Sequence, residues 1–267
     1  MTSQVIKLLE KLIIPHLTKH VEDNNILHCA QHGFQRNCSC ITQLLECLYD
    51  WSNSLDNRKG TDVIYLDFAK AFDTVCHHRL SIKLHHAGIR GKLLVWLRAF
   101  LTGRRQRVVL RNGSSTWRRV TSGVPQGSIL GPFLFLIFIN DLPGIVESVA
   151  KLFADDTKIY REINDLKDCQ HLQQDLNILS AWSIQWLLDF NATKCVVLRI
   201  KQALTYLYTL NGVYLSEVQQ QKDLGVIISQ DLKPSKHIEE ITRKAMQRVG
   251  MINRCFQNLN STKVSTL

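Results

Sequence analysis

No apolar run in this sequence is long enough to cross a bilayer. The longest, around Phe133 to Ile139, falls far short of the roughly 20 residues that a spanning helix needs. The N-terminal "MTSQVIKLLEKLIIPHL" has amphipathic spacing and lacks the layout of a signal peptide. A secreted disulfide scaffold is not indicated either. Eight cysteines are scattered without framework spacing, so reduced thiols in an intracellular protein are expected. The densest stretch, "LHCAQHGFQRNCSC", offers His28, Cys29, His32, Cys38 and Cys40, but at no common zinc spacing. Repeats, low-complexity tracts and clear linkers are missing too. Acidic charge is scarce: 23 Asp and Glu stand against 33 Lys and Arg, a formal charge of +10. That excess points to a polyanionic partner, nucleic acid before membrane.

What is present fits a globular chain. The 267 residues are 45% apolar and 21% charged, enough for one large domain or two small ones with a proper core. Helical spacing predicts helices over 5–17, 41–55, 79–87 and 166–186, and over 238–256 with a second, basic face of Arg243, Lys244, Arg248 and Arg254. That face is either simply solvated or tracks phosphates. "RGKLLVWLRAFLTG" puts Leu93, Leu94, Trp96, Leu97, Phe100 and Leu101 on one broad face, ended by Gly103. "GVPQGSILGPFLFLIFINDLP" reads as a Gly/Pro loop entering a buried helix. "DVIYLDF" is a continuous β-forming run, hence a buried strand, with Asp67 at its exit. Further strands are expected at 195–200 and in "DLGVIIS". Hairpins are expected at Asn112-Gly113 and in "YTLNGVYL".

One stretch, "KLFADDTKIY", sets two aspartates between short strands, at the tip of an expected hairpin turning on Asp155 and Asp156. Adjacent carboxylates repel. They belong either to a solvated turn or to a site for a hard cation such as Mg²⁺, which binds one or two carboxylates plus substrate phosphates. Asp67 is either a helix N-cap or the third carboxylate of that site. If its strand lies beside the 155/156 hairpin, three carboxylates meet at one sheet end. Such a set can hold two Mg²⁺ ions about 4 Å apart for in-line phosphoryl transfer.

"VIYLDFAKAFDTV", "RRVTSGVPQGSILGP" and "KLFADDTKIY", in that order, strongly resemble the reverse transcriptases of non-LTR (LINE-type) retrotransposons, nearest their jockey and CR1-like branch. "TSQVIKLLEKLI", "QHGFQRNCSCITQLLE", "FLTGRRQRV", "FINDLP", "WSIQWLLDFNATKC" and "KDLGVIIS" extend the resemblance over nearly the whole chain. It implies an α+β right-hand polymerase core: partial fingers, a palm whose antiparallel sheet packs on helices, and the start of a thumb. Fingers and palm are expected over 1–230 and the thumb over 231–267, both cut short as in an excerpt of a longer element. The implied activity is RNA-directed DNA synthesis, adding dNTPs to a DNA primer on an RNA template. Two Mg²⁺ ions are implied, with Mn²⁺ as a substitute. The implied setting is the nucleus or cytoplasm, away from membranes.

By the same resemblance, Asp67 and Asp155 match the catalytic metal-binding aspartates, and Asp156 matches their weaker neighbour. Phe68 would offer its backbone carbonyl to a metal. Phe72 matches the aromatic gate beneath the sugar of the incoming nucleotide. Gln126 and Gly127 lie in the "PQG" loop lining the nucleotide pocket, and Lys194 matches a lysine suspected of protonating pyrophosphate. Leu224 and Gly225 resemble the primer-grip hairpin, and Arg243, Lys244 and Arg248 would follow primer or template. Departures fall on the fingers side: Gln35 replaces the usual Arg, with Arg36 next; Cys38 replaces a basic residue; Cys76 replaces a common proline. A rival reading is an inactive transposon-derived remnant that only binds nucleic acid. An RNA-copying RNA polymerase is disfavoured by Phe72 and by Ala154 before the aspartates.

Overall fold

The computed structural model describes residues 4–201 and 204–256. The opening "TS" of the first resembling block and the expected thumb residues beyond 256 lie outside the described residues. Two compact units divide at Val218 and Gln219. The expected boundary at 230/231 falls inside the second unit, after its hairpin and before its helix.

The first unit is built on a five-stranded sheet. Its strands are β1 (Gly60–Leu66), β2 (Val149–Phe153), β3 (Asp156–Ile163), β4 (Val196–Ile200) and β5 (Ser216–Val218). Their order is β5-β4-β1-β3-β2, with only the β5–β4 pair parallel. β1 is central, and all seven of its residues are buried, which explains why it reads as an uninterrupted apolar run. The helices are α1 (Gln4–Asp23), α2 (Cys40–Asp56), α3 (Ala71–Thr74), α4 (His77–His86), α5 (Gly91–Leu101), α6 (Leu130–Ile139) and α7 (Leu166–Trp186). α2 is started by Ser39, which accepts the Thr42 N–H in a capping box, and it sets Trp51 edge-on against Tyr160 of β3.

α6 is the keystone of the core. Every residue of it except Pro132 is buried, as expected for a helix apolar on all sides. Burying one Leu, Ile or Phe side chain contributes about 1.5–3 kcal/mol, so this helix gathers much of the unit's stability. Its N-terminus is closed from a distance. The buried carboxylate of Glu10 in α1 accepts the N–H groups of Ile129 (2.5 Å) and Leu130 (3.0 Å). Beyond its C-terminus, Asn140 accepts the His28 N–H (2.8 Å) and donates to the Ile26 carbonyl (2.7 Å). Asp141 accepts from Lys83 (2.6 Å) and from the Trp182 indole (3.2 Å). The "FINDLP" block thus joins α4, α6, α7 and the segment after α1.

α7 matches its predicted bounds, and Leu172, Leu176, Leu179 and Trp182 enter the core. α1 contains Pro15 and runs on past its predicted end at Leu17 to Asp23. The Asn211-Gly212 turn forms as expected, with positive φ at both residues. The other predicted Asn-Gly turn is corrected. Leu110 pairs with Gly113, so the turn is Arg111-Asn112 and Gly113 belongs to a strand.

The second unit has strands β6 (Gln220–Asp223) and β7 (Val226–Ser229) and helix α8 (Ser235–Phe256). "DLGVIIS", read as one strand, is a turn plus a strand. Asp223 pairs with Val226, and Leu224 and Gly225 form the turn, both at positive φ.

Candidate active site

The register of the central strands decides which carboxylates meet. Leu66 of β1 pairs with Thr157 of β3, so the next step of the ladder brings Asp67 opposite Asp156. Phe153 pairs with Asp156 across the β2–β3 hairpin. The turn is therefore Ala154-Asp155, not Asp155-Asp156 as the sequence reading placed it. The left-handed conformation falls on Ala154 (φ 55°), and neither aspartate adopts it. Asp155 sits in the turn while Asp156 starts the strand, exposed.

Asp67 and Asp155 feel each other electrostatically. Burial pushes the Asp155 carboxyl above the usual range, and the charge of Asp67 pushes it the same way. Such mutual repulsion is what a cation between two carboxylates would relieve. Among the described residues, no three His, Cys, Asp or Glu side chains form a ready metal cage. The donor chemistry fits a Mg²⁺ ion held by two carboxylates and completed by substrate phosphates.

The loop after α7 docks beneath Asp67. The Asn191 N–H donates to the Asp67 carbonyl (2.7 Å), and the Ala69 N–H donates to that of Asp189 (2.8 Å). This bridge pairs Phe68 with Phe190, whose rings stack at 4.6 Å, and leaves the Phe68 carbonyl out of both bonds. The Asp67 N–H donates to the Cys195 sulfur (3.3 Å). Burial pushes the Cys195 thiol up to about 11, so it stays protonated and donates to the Asn191 carbonyl (3.3 Å). One residue earlier, the Lys194 ammonium lies 3.7 Å from the Asp67 carboxylate, both partly in solvent.

A second group forms where the turn after β1 meets the "SGVPQG" loop. Phe72 accepts the Val124 N–H at its carbonyl (2.8 Å), and Val75 accepts that of Gly123 (2.8 Å). A Cβ on Gly123 would come within 2.5 Å of the Asp73 carbonyl oxygen, so this close approach needs glycine. The Gln126 amide donates to the Asp73 carboxylate (2.8 Å), and Gly127 follows at φ 75°. Phe72 is half-buried, its ring stacked on Phe135 of α6. Beside this group opens a cleft of about 840 Å³, lined in part by Lys70, Asp73, Arg105, Arg119 and Gln126.

Two features escaped the sequence reading. Between residues 104 and 119 stand six arginines and no acidic residue. Arg105, Arg118 and Arg119 lie on one two-stranded ribbon, Arg111 is in the turn of a second, and Arg107 sits over the Trp117 ring at 4.6 Å. The charge run was the signal. The other is Gln31, buried against the Ala154-Asp155 turn; it opens the resembling block "QHGFQRNCSCITQLLE", but no spacing or periodicity marks what it contacts. Within the second unit, Leu224 and Gly225 form the hairpin tip. Arg243, Lys244 and Arg248 are exposed on α8, where Arg243 and Lys244 both pair with Glu240 at 2.8–3.0 Å.

Residues 1–228 match the family model described as "Reverse transcriptase (RNA-dependent DNA polymerase)". Among curated proteins, the chain is 30% identical to a probable RNA-directed DNA polymerase from transposon BS of Drosophila melanogaster, over 97% of this chain and 30% of that protein. It is 28% identical to the RNA-directed DNA polymerase from mobile element jockey of Drosophila funebris, over 92% of this chain and 28% of that one. The chain thus spans about a third of the length of these relatives. Among solved structures, apo telomerase from Candida tropicalis superposes with a TM-score of 0.58 at 9% identity, over 85% of this chain and 40% of that one. The truncated apo form gives 0.55 at 10% identity, over 84% and 44%. This likeness shows a mixed α+β, right-hand polymerase fold. Paired carboxylates at the ends of β1 and β3, the loop docked on Phe72 and the match over residues 1–228 have one common account: the chain belongs to the reverse transcriptase family, on the side of the non-LTR retrotransposons.

Proposed function

We propose that this chain carries the polymerase core of a non-LTR retrotransposon and extends a DNA primer on an RNA template. The observation behind this reading is the register that sets Asp67 opposite Asp156, with Asp155 in the adjoining turn, at the ends of neighbouring central strands. Reverse transcriptases use divalent metal ions. Here Asp67, Asp155 and the Phe68 carbonyl would hold two Mg²⁺ ions, with Mn²⁺ as a substitute and Asp156 as a weaker contributor. Bound there, the ions supply an activated primer hydroxyl and charge neutralisation at the leaving pyrophosphate.

The chain's own groups do the rest. Asp67 and Asp155 would hold the ions, whose charge would orient the dNTP triphosphate. Phe72 lies beneath the sugar and excludes a 2′-hydroxyl. Gln126, fixed by Asp73, and Gly127 border the base-pairing pocket. Lys194, beside Asp67, is placed to hand a proton toward pyrophosphate. Leu224 and Gly225 support the primer, while Arg243, Lys244 and Arg248 follow the phosphate backbone, with fingers and palm over 1–230 and the thumb beginning at 231. The test is primer extension on poly(A)/oligo(dT) with dTTP and Mg²⁺. Extension that stops on chelation with EDTA supports the reading. Tight binding of the hybrid without extension supports the inactive remnant instead.

A further inference from the structure

The "QHG" of residues 31–33 does something that no sequence pattern in the chain announces. This segment lies along β2 as an added edge. The Leu152 N–H donates to the Ala30 carbonyl (2.9 Å), and the His32 N–H donates to the Leu152 carbonyl (2.8 Å). Gln31 sits opposite Leu152 in this parallel bridge and is only 3% exposed. Its side-chain oxygen accepts two backbone N–H groups: Gly33 at 2.7 Å and Ala154 at 2.9 Å.

Ala154 is the left-handed residue of the turn, a conformation that disfavours any side chain with a Cβ by about 1–2 kcal/mol. Something must hold it. Within this turn, Ala154 is followed directly by Asp155. Gly33 lets the clasp close: a Cβ there would come within 2.3 Å of the Ala154 nitrogen. His32, between them, is anchored to Glu46 of α2 (3.3 Å), which also binds Lys151 of β2 (2.5 Å). The clasp is therefore fixed at both flanks.

We propose that Gln31 is a positioning residue for the active site: by accepting the Ala154 N–H, it locks the turn that carries Asp155 and sets that carboxylate against Asp67. The proposal rests on the polymerase reading above. It does not make Gln31 a catalytic residue, since nothing places it on substrate. Its effect is geometric. A misplacement of about 1 Å in a reacting constellation can cost about 100-fold in rate. The amide nitrogen of Gln31 has no partner among the described residues, so the oxygen carries the function; a glutamate there would keep an acceptor but bury a charge near Asp67 and Asp155.

The experiment compares the full chain with Gln31→Met and Gln31→Glu. Methionine keeps length and apolar bulk but removes the acceptor. Glutamate keeps it. Four quantities are read: single-nucleotide kcat, dNTP KM, hybrid affinity, and the rise in Tm on adding MgCl₂. For Gln31→Met, kcat is expected to fall at least about tenfold. Hybrid affinity should stay within about twofold, and the MgCl₂ concentration giving half the Tm rise should increase several-fold. Gln31→Glu, which keeps the acceptor but buries a charge, should lose less kcat than Gln31→Met. Gly33→Ala, which pushes on Ala154 from the other side, should reproduce the methionine phenotype.

Parent-like kcat and an unshifted MgCl₂ response in Gln31→Met would overturn the proposal. So would a Gly33→Ala variant that keeps parent kcat and the parent MgCl₂ response. If the parent itself extends no primer, the polymerase reading fails. The Gln31 claim is then judged by the MgCl₂ response alone, which must still shift in both Gln31→Met and Gly33→Ala.

Discussion

The ring of Phe72 stacks on that of Phe135, their centroids 4.4 Å apart and their planes 23° from parallel. One face of the proposed gate residue is thus fixed by α6, and its position is set by core packing as well as by the turn after β1. Phe72→Val should keep dNTP incorporation and admit ribonucleotides at least about tenfold better, a change of about 1.4 kcal/mol in relative barrier. Losing the stack should also lower stability by about 1–2 kcal/mol. Paired kcat/KM values for matched dNTP and rNTP check the first effect, and urea melts the second. An unchanged ratio in a folded, active variant removes the gate role.

Lys83 is buried among Phe138, Trp182 and Trp186, with its ammonium 3.8 Å from the centre of the Trp186 ring and 2.6 Å from Asp141. Burial lowers its pKa from 10.5 to about 8, against the pull of Asp141. The folded chain therefore holds this proton less well than the unfolded one. Between pH 8 and 10.5, unfolding takes up the proton, so this group's contribution to stability rises with pH. The parent should gain stability relative to Lys83→Met across that window, by up to about 3 kcal/mol. Urea melts of both chains at pH 7.5 and 9.5 measure this. A constant difference would show that Lys83 keeps its ordinary pKa.

The arginine ribbons should belong to the nucleic-acid footprint. Arg105, Arg118 and Arg119 are exposed, and no acidic residue of the same stretch neutralises them. Changing all three to glutamine should lower the slope of log affinity against log salt by up to about 2.7, at about 0.9 per phosphate contact on duplex DNA. On α8, Arg243 and Lys244 already share Glu240, so the pair Arg243→Gln and Lys244→Gln should change the slope less. Fluorescence anisotropy from 50 to 300 mM salt, on the order of the range where such slopes are read, compares them. An unchanged slope in the ribbon variant excludes that surface.

Much of this was readable because it is local. Leu172, Leu176, Leu179 and Trp182 declare α7 by spacing, and the unbroken run of β1 declares a strand buried on both faces. The continuous apolar run before Asp67 and the turn chemistry of the 155/156 hairpin made one shared sheet end a possibility, which the register of β1 and β3 decides. The errors were also local in cause. Aspartate tolerates positive φ better than alanine, so the turn was placed one residue too late, while the clasp from Gln31 holds Ala154 in that conformation. Gly113 looked like a turn residue but pairs with Leu110. Gln31 opens a resembling block, but its contact was illegible. Its partner is 123 residues away, and a buried glutamine accepting two backbone N–H groups leaves no periodicity to find.

Asp155 should destabilise the chain it serves. Burial and the charge of Asp67 raise its folded pKa above the ordinary 3.8. The folded chain then binds that proton more tightly than the unfolded one, and stability falls as pH rises through the window above 3.8. Asp155→Asn removes the ionisation and should therefore raise Tm in EDTA at pH 7, with the gain shrinking toward pH 4. Magnesium should reverse the order. A cation bound between Asp67 and Asp155 in the folded chain stabilises it by mass action, about 2.7 kcal/mol at 100 times its Kd, and the variant should gain much less. Extension should vanish in the variant while hybrid affinity stays near that of the parent, since binding comes mainly from Lys and Arg on phosphates. Melts at pH 4 and 7, each with EDTA or MgCl₂, give the full comparison. A variant less stable than the parent in EDTA at pH 7 would make Asp155 a structural residue, and a magnesium response equal to the parent's would take it out of the metal site.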